Sequence, residues 1–139
     1  MRELQGTWRL VEWTVSVDDT LIRPFGGKAE GLLTYTDDGW MWATLQRKDR
    51  APLRTGTLAA ATAEQRAAAA AGYLAYAGRY TLDGGQVTHH VEMSLFPDWV
   101  GDVQVRHVSW TDDGDLVLST PPEKTAAGRT VVNRLRWRR

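Results

Sequence analysis

Gly31-Leu32-Leu33-Thr34-Tyr35-Thr36-Asp37-Asp38-Gly39-Trp40-Met41-Trp42-Ala43-Thr44-Leu45 is the stretch that decides the fold. Two short runs of β-branched, aromatic and aliphatic residues flank an Asp-Asp-Gly turn. Glycine supplies the positive φ that a tight reversal needs, so the stretch reads as a β-hairpin. Working outward, the same unit recurs: residues 78–82 and 86–95 flank Asp83-Gly84-Gly85, and residues 103–111 and 116–120 flank Asp112-Asp113-Gly114. Residues 6–17, followed by an Asp18-Asp19 turn, and residues 129–138 add a strand at either end.

The count is eight strands joined mostly by short connections. That pattern suggests an antiparallel up-and-down meander, and closing it into a barrel removes the exposed sheet edges. An eight-stranded barrel is either filled by its side chains or holds one small ligand. An open sandwich with a solid core is the alternative, and with it a purely structural or interaction domain. Proline marks the longer connections, at Pro24-Phe25-Gly26-Gly27, Pro97-Asp98-Trp99-Val100-Gly101 and Pro121-Pro122.

One segment breaks the pattern. Thr62-Ala63-Glu64-Gln65 reads as a capping box, and the alanine-rich run that follows has high helix propensity, so a single helix is expected over about 63–74. It is inserted among the strands, where it either covers a barrel end as a lid or packs on the outer wall.

Composition excludes several function classes. The 139 residues hold 17 basic and 17 acidic side chains, so no positive field steers nucleic acid or an anionic membrane. The Arg136-Trp137-Arg138-Arg139 end reads as a strand running into solvent. Cysteine is absent, which removes disulfides, thiolate metal sites and cysteine nucleophiles. The N-terminal Met-Arg-Glu-Leu-Gln-Gly lacks the apolar core of a secretory signal, and no segment approaches the roughly 18 apolar residues of a membrane span. The expectation is one domain over residues 1–139, cytoplasmic, with no nucleic-acid or membrane partner; oligomeric state is left open, a homodimer included. Seven tryptophans in so short a chain suit either a packed core or a pocket for an aromatic or polyunsaturated ligand.

Gly6-Thr7-Trp8 resembles the Gly-x-Trp signature of lipocalins and their calycin relatives. The likeness runs through Pro24-Phe25-Gly26, the hairpin quoted above, residues 72–80, His89-His90-Val91-Glu92, Pro97–Gly101, Gln104-Val105-Arg106 and Leu118–Pro122. The whole is similar to the bacterial and fungal lipocalin-like domain family. The resemblance implies an all-β, eight-stranded lipocalin-like barrel in which Trp8 plugs the closed end beneath a basic side chain of the last strand, Arg134 or Arg136. It implies binding of a small, mostly apolar molecule and leaves catalysis open, because related barrels range from carriers to cofactor-free cyclases of natural-product pathways. The mid-chain helix departs from secreted lipocalins, so their lid geometry is not carried over.

Candidate site residues follow from strand alternation. His90, Glu92 and Ser94 share one face of their strand, and His89, Val91, Met93 and Leu95 the other; on the next strand Gln104, Arg106, Val108 and Trp110 share a face. In one assignment Val91, Met93 and Leu95 line the barrel, with His89 as a polar handle, while His90, Glu92 and Arg106 are solvated. In the other, His90, Glu92 and Arg106 form an inward cluster with Gln104, opposite Tyr35 or Tyr80, fit to anchor a carboxylate or enolate or to do acid–base work. The ligand-binding candidates are Trp8, Tyr35, Trp40, Trp42, Tyr80, His89, Trp99 and Gln104, with Trp13 as a further wall residue. No cofactor and no metal site is expected: His89 and His90 point to opposite faces and cannot share one ion. No phosphate-binding glycine run or Gly-x-Ser-x-Gly elbow occurs.

Overall fold

The computed structural model of the chain describes residues 3–139. Met1 and Arg2, which open the stretch read for a secretory signal, lie outside the described residues. The strands are β1 (Gly6–Val17), β2 (Thr20–Ile22), β3 (Ala29–Tyr35), β4 (Trp40–Arg47), β5 (Tyr73–Asp83), β6 (Gln86–Ser94), β7 (Val103–Trp110), β8 (Leu116–Ser119), β9 (Glu123–Lys124) and β10 (Thr130–Arg138). Their order is β2-β1-β3-β4-β5-β6-β7-β8-β10-β9, and β1 also pairs with β10. That last pairing closes an eight-stranded antiparallel barrel, with β2 and β9 as short additions at its rim, and so replaces the open sandwich. The helix α1 (Ala63–Ala71) lies in the β4–β5 connection, with Thr62 and Gln65 forming the reciprocal capping box.

The strand faces depend on two bulges. In β1 the register against β10 shifts between Leu10 and Glu12. The extra residue, Val11, turns outward, and Trp8, Leu10 and Trp13 all face the interior although strict alternation would separate Trp8 from Trp13. The β5–β6 register shifts between Ala77 and Gly78, whose partners are Met93 and Val91, leaving Glu92 unpaired. Gly78 permits this crossing: a Cβ there would sit 1.8 Å from the His90 carbonyl oxygen. His89 and Val91 therefore point inward, while Met93 and Leu95 are exposed. The shared face expected for those four residues is broken by the bulge.

One barrel end is plugged. Trp8 is 2% exposed, donates its indole N–H to the Leu4 carbonyl at 2.8 Å and packs against Trp110. The cation over its ring is Arg139, 4.4 Å from the ring centroid, and not Arg134 or Arg136. The register explains the difference: Arg9 pairs with Arg138, so the residue one step further reaches across Trp8. Arg134 is exposed, and Arg136 faces Asp115, a buried carboxylate that also takes a bidentate pair from Arg138 at 2.8 and 2.9 Å. The tight turns at 36–39, 83–86 and 111–115 gather at this end, and the long connections, helix included, at the other.

Candidate ligand-binding site

Closure of the barrel leaves an internal cavity of about 370 Å³, within the range of small-molecule sites. Leu33 of β3, Ala43 and Leu45 of β4, Leu74 of β5, Leu118 of β8 and Leu135 of β10 supply aliphatic wall; Trp13, Trp99 and Trp137 supply flat aromatic wall. No residue of α1 borders the cavity. The helix buries none of its own residues, and Arg50, which stacks on Tyr73, donates to the Ala69 carbonyl near the helix end.

The polar floor is built around His89. The β5–β6 register sets Tyr80 opposite His89, and unbroken alternation along β5 puts Tyr76 on the same inner wall. Tyr35 reaches across from the end of β3. The Tyr35 hydroxyl lies 2.6 Å from His89 Nε2 and the Tyr76 hydroxyl 2.8 Å from Nδ1. His89 is 1% exposed, and burial, helped by the charges of Arg106 and His90, pushes its pKa down to about 3. The ring is neutral at ordinary pH, with one N–H and one lone pair. Burial also raises the pKa of both tyrosines, so both keep their protons.

This chain of three groups has a favoured direction. If Tyr76 donated to Nδ1, the Nε2 proton would go to Tyr35, and the Tyr35 hydroxyl proton would be buried with no acceptor among the described residues. Such an orphan costs about 1–3 kcal/mol. In the reverse order Tyr35 donates to Nε2 and Nδ1–H donates to Tyr76. The spare proton then sits on Tyr76, which borders the cavity as Tyr35 does not. The arrangement hands a ligand one hydroxyl donor.

Arg106 and Gln104 of β7 stand on the same floor. The guanidinium donates to the Val105 carbonyl at 2.9 Å and to Gln104 Oε1 at 3.2 Å. Trp13 is satisfied by Asn133, whereas the buried Trp137 indole N–H has no acceptor among the described residues. Thr120 and Glu123 complete the lining on the β8–β10 side.

The sequence candidates divide accordingly. His89, Gln104, Arg106, Trp99 and Trp13 border the cavity, and Tyr35 stands behind His89. Tyr80 packs edge-on to Tyr35 and donates to the Thr36 carbonyl, short of the cavity. Trp8 is the plug, not a wall of the site. Trp40 and Trp42 are corrected to the outside: Met41, Ala43 and Leu45 take the inward positions of β4, Arg79 stacks on Trp40 at 4.1 Å, and Trp42 is exposed. His90 and Glu92 are exposed as well, so the inward His90–Glu92–Arg106 cluster does not form; β6 turns His89 inward instead, toward the Arg106 side. Neither face assignment expected from alternation puts His89 and Arg106 inward together. Tyr76 escapes the sequence reading, which carries the helix to Leu74 and starts the strand near residue 78. Gly72 in fact caps the helix, and β5 starts at Tyr73. Leu74, Tyr76, Gly78 and Tyr80 then alternate as an inner face, the signal that was available. Among the described residues no group of three or more His, Asp or Glu side chains is placed to hold a metal ion.

The family model described as a lipocalin-like domain matches residues 5–139. Over 86 residues the chain is 37% identical to the 4'-hydroxy-3'-methoxypropiophenone carrier protein ppsC of Aspergillus oryzae, a match that spans 56% of this chain and 77% of that relative. Among solved structures, a lipocalin-like protein from Bacteroides uniformis aligns with a TM-score of 0.48 and 15% identity, covering 98% of this chain and 97% of its own. An uncharacterized protein from Bacteroides eggerthii aligns with a TM-score of 0.46 and 14% identity, covering 95% and 98%.

Proposed function

The chain belongs to the lipocalin-like domain family, and from that premise we propose that it is a carrier that holds one small, mostly apolar, oxygen-bearing aromatic molecule inside its barrel. The observation that carries this reading is the polar floor beneath apolar and indole walls: the Tyr35–His89–Tyr76 chain ends in a hydroxyl donor, and Arg106 stands beside it. A flat ring packs against Trp13, Trp99 and Trp137, and its oxygen takes the Tyr76 proton. The named ligand of the Aspergillus oryzae relative is an aryl ketone with hydroxyl and methoxy substituents, which is that kind of molecule.

The same floor favours carriage over conversion. A general base for a cyclase or isomerase works best with a pKa near the ambient pH. His89 lies far below that, and both of its ring nitrogens are engaged by tyrosines. No helix among the described residues is long and apolar enough to cross a membrane. A chain without cysteine needs no oxidising compartment, which supports operation in the cytoplasm.

The test is a tryptophan-fluorescence titration with 4'-hydroxy-3'-methoxypropiophenone and a set of simpler aryl ketones, followed by mass spectrometry of the recovered compound. Saturable quenching with the compound returned unchanged supports the carrier. A product of equal mass at a new retention time, formed over many turnovers, means an isomerase or cyclase. The absence of saturation with every compound overturns the proposal.

A further inference from the structure

The carrier reading leaves open in which protonation state the ligand is held, and Arg106 bears on that question. We propose that the cavity holds its ligand as an oxyanion, the deprotonated form of an acidic phenol or enol, with Arg106 as counter-charge and the Tyr76 hydroxyl as donor. This rests on the carrier reading and specifies its ligand class.

Arg106 is half-buried on the cavity floor, and both of its hydrogen bonds go to neutral oxygens, the Val105 carbonyl and the Gln104 amide. Among the described residues no carboxylate lies within ion-pairing distance of it. A guanidinium carries five N–H donors, so most of them remain for a ligand.

The groups that face it do not supply the missing charge. From β3 comes Tyr35 and from β5 come Tyr76 and Tyr80, all phenols held in the protonated form by burial. From β6 comes His89, neutral, with the exposed His90 on the outer face. The residues of β8 and β10 that border the cavity are Leu118, Asn133, Leu135 and Trp137, with Thr120 just past β8, none of them charged. Glu123 of β9 is the one acid among the lining residues, and it is exposed to solvent and its screening.

The floor therefore carries one positive charge beside a hydroxyl whose own proton is free to donate, flanked by apolar walls that strengthen the interaction relative to bulk water. A neutral ligand oxygen would satisfy Tyr76 and leave Arg106 without its counter-charge; an oxyanion satisfies both. On entry the ligand O–H bond breaks and its proton leaves to bulk buffer. No residue of the floor takes it, since the only unprotonated acceptor, His89, is already occupied at both nitrogens.

The probes are 4-nitrophenol, whose neutral and ionised forms absorb at different wavelengths, and 4-nitroanisole, which cannot ionise. Absorbance titrations of protein into 4-nitrophenol across pH give the apparent pKa of the bound probe. The wild-type protein is expected to show the phenolate band at a pH where the free probe is mostly neutral, with the pKa lowered by one unit or more, a preference of about tenfold for the anion. Arg106→Gln is expected to return that pKa to the free value, costing the phenolate about tenfold more than it costs 4-nitroanisole, and Arg106→Lys to retain part of the shift. If 4-nitrophenol binds the wild-type protein with its pKa unchanged or raised, the oxyanion proposal is overturned. The carrier reading then stands on the 4-nitroanisole titration. If Arg106→Gln leaves the shift intact, Arg106 is not the counter-charge and the proposal likewise fails. If neither probe binds, this proposal and the carrier reading fall together.

Discussion

Acid should weaken this fold through one buried side chain, and the effect can be isolated. His89 takes up a proton at about pH 3 in the folded barrel against 6.5 for an ordinary imidazole. Between those two values the unfolded chain binds a proton that the folded chain does not, so stability must fall as pH drops through 6.5 and continue falling toward 3. The limiting slope for one proton is about 1.4 kcal/mol per pH unit, which accumulates to about 2 kcal/mol between roughly pH 8 and roughly pH 5. His89→Gln removes the imidazole and keeps an amide able to reach one tyrosine. The variant starts less stable at the upper pH, because the three-group chain is broken, but it lacks this proton uptake. Every other titrating group, including the exposed His90 and His107, is common to both proteins. Urea unfolding followed by tryptophan fluorescence and far-UV circular dichroism at a series of pH values gives the difference directly. The gap between wild type and variant should narrow by about 2 kcal/mol over that range. Parallel stability profiles would refute the reasoning, since they would mean that His89 is hydrated or protonated in the folded barrel.

Other substitutions follow from the same geometry. Gly78→Ala places a Cβ 1.8 Å from the His90 carbonyl; it should cost ~3 kcal/mol or more and lower the thermal midpoint on the order of 10 °C, checked by calorimetry. Tyr76→Phe removes the donor that faces the cavity and should weaken a neutral oxygen-bearing aromatic ligand about tenfold at most, read by fluorescence titration. His90→Ala and Glu92→Gln, both on the outer face, should leave that affinity within about twofold in the same titration. Arg139→Ala strips the cation from Trp8 and should lower stability by about 0.5–1 kcal/mol in urea unfolding.

The turn chemistry made the barrel readable. Three Asp- and Gly-rich reversals and a capping box are local codes, and each fixed an element without reference to the rest of the chain. The site was less legible because its faces are set by two bulges. Val11 and Glu92 look like ordinary strand residues, yet each reverses the alternation beyond it, bringing Trp13 inward and sending Met93 out. A bulge arises from pairing with another strand, and a single strand's composition does not encode it. Gly78 was the trace it left, a glycine within a strand where another backbone comes close. Trp40 and Trp42 misled for a simpler reason: tryptophan area suggested interior, but Met41 and Ala43 hold the interior of β4 and the indoles cover the outside. The helix ending at Ala71 and not Leu74 hid Tyr76, because alanine propensity runs on past the glycine that in fact stops it.

The barrel is proposed to bind its ligand within the cavity. Isothermal titration of one aryl ketone into the wild-type protein and into Leu135→Trp, whose indole would fill the cavity from β10, tests it most directly. One-to-one binding with a negative heat-capacity change is expected for the wild type, and no binding for a variant whose circular dichroism is unchanged. Equal affinity in the two proteins, or no heat in the wild type, would contradict it.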